Sequence, residues 1–240
     1  MNVVELREFY ASPLGKATHR LLAAKLFPAL EIGHAAVTLG LGYATPYLND
    51  GARNLAFMMA RQGVVAWPKE GLQQSALVDE LDLPLPDNSV EVALLIHALE
   101  FSESPIEMLQ EVWRVLAPQG RLILVVPNRR GLWAASDASP FGFGQPFSRG
   151  QLWALLKEAQ LSFTRMEPAL IMPPRAKLAG SKIAGNVEKY GKSVLGHLSG
   201  AIVVEATKQV YAYSAGRRVR RTLPRFRPTL LPVHHKDGTS

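Results

Sequence analysis

The chain contains no cysteine, so disulfides and thiolate metal centres are excluded. A thiol-free composition suits a reducing compartment, and a cytoplasmic location is the expectation that follows. The first ten residues, MNVVELREFY, carry two acidic side chains and no apolar core, and do not read as a signal peptide. Long hydrophobic runs are scarce as well. The longest span free of Asp, Glu, Lys and Arg, residues 32–49, is broken by His34, Gly40, Gly42 and Pro46, so no transmembrane segment is expected. Acidic charge is nearly missing from one region. Of the net charge of +7, residues 214–240 carry +6, with Arg217, Arg218, Arg220, Arg221, Arg225, Arg227 and Lys236 against Asp237 alone. The body is therefore close to neutral, and the basic character belongs to a tail with interspersed prolines. Such a tail reads as disordered and as able to make weak polyanion contacts by counterion release.

What is present is enough apolar residue, 48% of 240, for one sizeable core. The organising stretch is 79–133. Two strand-like runs, 90–96 and 122–126, flank an amphipathic helix with Leu109, Val112, Trp113 and Leu116 on one face. Ser104 and Glu107 have capping-box spacing, Pro105 falls at the first helical position, and Pro118-Gln119-Gly120 ends the helix. Strand, helix and strand in this order make a βαβ unit with parallel strands. Upstream, 35–39 and 54–58 read as strands, and 76–78 as a third. Downstream, 161–172 and 202–213 are the last two. Residues 4–30 read as one or two helices interrupted at Ser12-Pro13 and Gly15.

Three segments carry a resemblance: 79–89 (DELDLPLPDNS), 97–100 (HALE) and 114–120 (RVLAPQG). In this order and spacing they resemble the second half of a class I S-adenosylmethionine (SAM)-dependent methyltransferase of the type 11 kind. The resemblance implies a doubly wound α/β fold with a mostly parallel seven-stranded sheet over 1–213. N-terminal helices (1–30) would lie over the cofactor mouth, and a helical insertion (173–199) would precede the last strand. It implies SAM as cofactor and methyl transfer to a small or lipid-like molecule. The alternatives are a catalytically degenerate relative that works by binding a partner, or an RNA or protein methyltransferase recruited by the tail.

The cofactor-binding residues that the resemblance picks out are Gly40, Gly42, Tyr43, Ala44, Met58, Asp79 and His97. Glycines leaving a strand let the backbone approach a ligand and turn into a helix whose N–H groups point at it. Ala44 stands where the family has a third glycine, and Thr38 where it has an acid. At the end of the second strand, where an acid holds the ribose, only Met58 and Met59 are found, and Gln62 is the next polar side chain along. Asp79 would accept from the adenine amino group, or else cap its own turn. A branched side chain at Gly42 is expected to block the cofactor and spare the fold.

His97 is the candidate catalytic base, with a structural hydrogen-bonding role as its alternative. Candidate substrate contacts are Tyr10, Asn128, Arg129, Phe141 and Phe143, the last two in a Gly/Pro/Phe loop suited to a lid or an apolar wall. No metal site is expected. Residues 185–193 imitate a phosphate loop, but five residues separate the glycines where four are needed, and no strand precedes them.

Overall fold

The computed structural model describes residues 1–30, 36–49, 53–136, 139–174 and 196–209, all within one compact unit. The core of the expected insertion, the phosphate-loop imitation and the arginine-rich tail lie outside the described residues. Strands β1 (Thr38–Gly42), β2 (Asn54–Met59), β3 (Ser75–Val78), β4 (Val90–Ile96), β5 (Leu116–Pro127), β6 (Leu161–Ala169) and β7 (Ala201–Lys208) form one sheet. Their order is β3-β2-β1-β4-β5-β7-β6. Only β7 runs antiparallel to its neighbours. The chain moves outward from β1 to β3, then returns to β4 beside β1. This reversal is a topological switch point, and its crevice opens at the carboxyl ends of β1 and β4.

The central strands are buried on both faces because alternate residues feed two cores. In β4, Val92, Leu94 and Ile96 pack with Leu22 and Leu26 of helix α2 (Pro13–Leu30). Ala93 and Leu95 face the other way, onto Met108, Leu109 and Val112 of α3 (Pro105–Val115) and Leu152 and Leu156 of α4 (Arg149–Glu158). Helices on both faces of a mostly parallel sheet are the expected double winding.

Several expected boundaries move. β1 begins at Thr38 rather than residue 35 and runs through both glycines, with Gly40 paired to Ala56 and Leu94. Gly40 is needed there because a Cβ would stand 2.8 Å from both Ala44 Cβ and Leu48 Cδ1. The helix expected after the glycine turn is one 3₁₀ turn, Thr45–Tyr47. The Ser104–Glu107 capping box does not form. Ser104 N–H donates instead to Ser102 Oγ, which leaves Glu107 nothing to cap. Capping boxes close α1 (Val3–Ala11) through Asn2 and Glu5, and α4 through Ser148 and Gln151. Leu116 is buried but opens β5 rather than continuing α3. β6 stops at Ala169, before Leu170 at φ 59°.

The 79–89 segment is clasped to α3 chiefly by Arg114, and Glu111 adds to it by accepting from Leu83 N–H. Arg114 donates to Glu111, Asp87 and the carbonyls of Leu83 and Leu85. Its guanidinium is held firmly protonated by Glu111 and then Asp87. Lys208, buried at the end of β7, donates to Asn88 Oδ1 and to the carbonyls of Arg114 and Leu116 where α3 ends. These contacts give the LPLPDNS and RVL segments a structural role.

Candidate functional site

Helix α1 crosses the carboxyl edge at the switch point. Val3 N–H donates to the carbonyl of Gln62 beyond β2, and Val3 and Leu6 pack with Tyr43 and Met58. The Tyr10 ring stacks on Tyr43 with centroids 5.6 Å apart, and its hydroxyl lies 3.0 Å from His97 Nε2. Tyr10 thus joins the edge cluster.

His97 leaves β4 at φ 52°, an uncommon conformation for a side chain of this size, and is fully buried. Its Nδ1 is 3.2 Å from Oε1 of Glu100, which is also buried. Tyr47 donates to the Tyr10 oxygen at 3.2 Å. Burial pushes the Tyr10 and Tyr47 phenols upward, so both stay protonated at neutral pH. With its oxygen accepting from Tyr47, the Tyr10 O–H points at His97 Nε2. That nitrogen is the acceptor, and Nδ1 carries the proton that faces Glu100. The chain is Tyr47–Tyr10–His97–Glu100, with Phe141 4.8 Å from the imidazole. Tyr47 gives no sequence signal, because in Pro46-Tyr47-Leu48 it reads as turn and apolar filler.

The expected residues divide. Tyr10, Tyr43, His97 and Phe141 meet in this cluster. Phe141 is buried against His97 and Trp133 rather than lining an open wall, because Gln145 N–H binds the Glu100 carbonyl and draws its loop inward. Phe143 remains exposed on that loop. Asn128 faces the protein. Its amide donates to the His197 and Ser199 carbonyls, and its oxygen accepts from Arg130 N–H. Arg129 is exposed and reaches the Pro146 carbonyl. Met58 packs beneath α1 and accepts from Val65 N–H, so it faces a helix. Asp79 is exposed and caps its own turn through Leu81 N–H.

Gly42 has φ 82°, and a Cβ there would collide with the Ile96 and His97 carbonyl oxygens. The glycine is thus required by the meeting of β1 with β4, and the expectation that a valine would spare the fold is corrected. A cleft of about 570 Å³ is lined by Thr45, Pro46 and Leu48, the neighbours of Tyr47, and by residues 67–70, and none of the expected site residues lines it. No group of three or more potential metal ligands exists among the described residues.

Two buried acceptors near His97 have no protein partner: Gln62 Oε1 and Glu100 Oε2. Orphaned buried acceptors at a switch point fit a ligand rich in hydrogen-bond donors. SAM supplies such donors from its ribose hydroxyls and its ammonium group. The residues present therefore fit SAM, although Thr38 and the short 3₁₀ turn leave its methionine carboxylate without an acid-anchored loop or a helix N-terminus.

Residues 36–124 match the family model described as "Methyltransferase domain". No curated protein sequence matches the chain. Among solved structures, a SAM-dependent methyltransferase of Thermotoga maritima, described as a possible histamine N-methyltransferase, is 17% identical. The match covers 86% of this chain and 96% of that one, with a TM-score of 0.58. The [4+2]-cyclase SpnF is 22% identical over 80% of this chain and 81% of its own, with a TM-score of 0.54. A geranyl diphosphate C-methyltransferase from Streptomyces coelicolor A3(2), solved with S-adenosylhomocysteine, is 15% identical over 78% and 76%, with a TM-score of 0.55. The matched segment builds the switch point, and the remaining strands complete the fold of these structures; residues 36–124 are similar to a methyltransferase domain, and the chain has the fold of class I methyltransferases.

Proposed function

We propose that the chain transfers a methyl group from SAM to a small or lipid-like acceptor at the carboxyl edge of β1 and β4. The observation that carries this reading is the buried Tyr10–His97–Glu100 chain at the switch point, with an unpaired Glu100 oxygen behind it. The cofactor would lie along the Gly40–Gly42 turn, Tyr43, Ala44 and the Asp79 segment, and when bound it supplies an electrophilic methyl sulfonium. The protein's tasks are to align the acceptor atom and to receive its proton. Glu100 holds the imidazole with Nε2 facing Tyr10, so a proton released near Tyr10 passes to its oxygen while the Tyr10 proton moves to His97. The enclosed, aromatic surroundings favour a small or apolar acceptor over a folded macromolecule. Among the described residues no helix is long and apolar enough to cross a membrane. The geranyl diphosphate C-methyltransferase of similar fold is consistent with a lipid-like acceptor.

A second reading, a binding protein that has lost methyl transfer, draws on Thr38, the shortened turn and the absent acid after β2. The cyclase is consistent with a fold that does not dictate one reaction. Calorimetry with SAM and S-adenosylhomocysteine separates the two, followed by incubation with methyl-labelled SAM and fractionated cell extract. Binding of both, with label in a small-molecule or lipid fraction, supports the proposal. Label confined to RNA or protein overturns the acceptor class, and absence of binding overturns the enzyme reading.

A further inference from the structure

Strand β2 ends at Met59, and no Asp or Glu occurs from residue 51 to residue 69. The place of a ribose-binding acid is therefore empty of acids. Gln62, three residues beyond the strand, is held by its backbone on both sides. Its N–H donates to the Met59 carbonyl at 2.9 Å, and its carbonyl accepts from Val3 N–H at 2.7 Å. The side chain is 3% exposed. Its Nε2 donates to the backbone carbonyl of His97. β1 lies between β2 and β4 in the sheet, so the amide spans from the end of one flanking strand to the end of the other, across the switch point. Its Oε1 is buried and lacks a partner.

This arrangement accounts for the missing acid. A carboxylate at position 62 would set an acceptor against the His97 carbonyl, and the bridge could not form. An amide donates at one end and presents an acceptor at the other. We infer that Gln62 takes the place of the acid and accepts a ribose hydroxyl of SAM through Oε1. The inference rests on the methyltransferase reading. Because the acceptor is neutral, the hydrogen bond is weaker than one to a carboxylate, and ribose recognition does not depend on a titrating group.

The test is calorimetric titration of the full chain with S-adenosylhomocysteine and with its analogue lacking both ribose hydroxyls. Gln62→Met matches the side chain in length without its acceptor or donor. It is expected to weaken S-adenosylhomocysteine binding roughly tenfold, while affinity for the dideoxy analogue changes less than about twofold. Gln62→Asn keeps the amide but is one methylene too short to span both groups. It is the second variant should Gln62→Met fail to fold, and the same selective loss is expected. Equal losses for both ligands, or no loss, overturn the role of Gln62 while leaving the cofactor in place. If wild type binds neither ligand, the methyltransferase reading fails and the inference goes with it.

Discussion

The hydroxyl of Tyr10 donates to His97 Nε2 at 3.0 Å, tying helix α1 to the end of β4 across 87 positions of sequence. Tyr10→Phe keeps the ring on Tyr43 but leaves the buried imidazole nitrogen and the Tyr47 hydroxyl without their partner. An orphaned buried polar group costs about 1–3 kcal/mol. The urea midpoint is expected to fall accordingly, and amide exchange in α1 to quicken relative to β4. A variant with the wild-type midpoint and unchanged exchange in α1 would show that this contact does not fasten the helix.

The Arg114 clasp predicts how the fold responds to acid. Glu111 hydrogen-bonds Arg114, which holds its carboxyl below the ordinary value. For a depressed carboxyl the stabilisation is complete above the unfolded value and is lost as pH falls through the folded one. Glu111→Gln should therefore destabilise the protein at pH 7, and the gap to wild type should narrow below about pH 4. Urea titrations of both proteins at pH 7 and pH 3 measure this. A gap that is constant with pH would mean that the charge on Glu111 contributes nothing.

The same clasp explains why so much of the fold was legible. Apolar periodicity and turn residues over 79–133 are local signals, and β4 and α3 follow from them within a few residues, as does the second half of β5, whereas its start at Leu116 does not. The capping box at Ser104 does not form because the Ser102 hydroxyl, two positions earlier, takes the N–H that the Glu107 carboxylate would accept, and spacing alone cannot rank the two acceptors. Gly40 and Gly42 stand out in the sequence, but their spacing does not reveal that a Cβ at either would also meet the protein itself. The site was harder still. Asn128 carries a polar type at the ligand edge, but its partners lie 69 and 71 positions away. Gln62 and Tyr47 matter through reach and orientation, which depend on where α1 and the ends of three strands meet.

Glycine position, rather than glycine type, should decide tolerance to substitution. Gly42 combines φ 82° with two carbonyl oxygens in the way of a Cβ, whereas Gly71 has φ 89° with nothing within 4 Å. Gly71→Ala carries only the left-handed backbone cost, about 1–2 kcal/mol. Gly42→Ala adds a collision with β4 backbone and is expected to lower the melting temperature by more than twice as much. Equal losses in the two variants would show that β4 can retreat and that the packing argument fails.

The last prediction concerns the state of His97. Tyr47 donates to Tyr10, Tyr10 donates to Nε2, and Nδ1 faces the Glu100 carboxyl at 3.2 Å. This direction of donation requires a neutral imidazole protonated on Nδ1, the less common tautomer of a free histidine. Long-range ¹H–¹⁵N correlation spectra of labelled protein should give Nδ1 the shift of a protonated nitrogen and Nε2 that of an unprotonated one. Tyr10→Phe should move the Nε2 shift toward that of a nitrogen without a donor, while Nδ1 stays protonated because Glu100 still accepts from it. Tyr10→Phe should also slow methyl transfer more at neutral than at alkaline pH, where an acceptor loses its own proton to solvent. A proton on Nε2 in the wild type would reverse the hydrogen bond to Tyr10. The relay would then run from His97 outward, and Tyr10 could no longer hand it a proton.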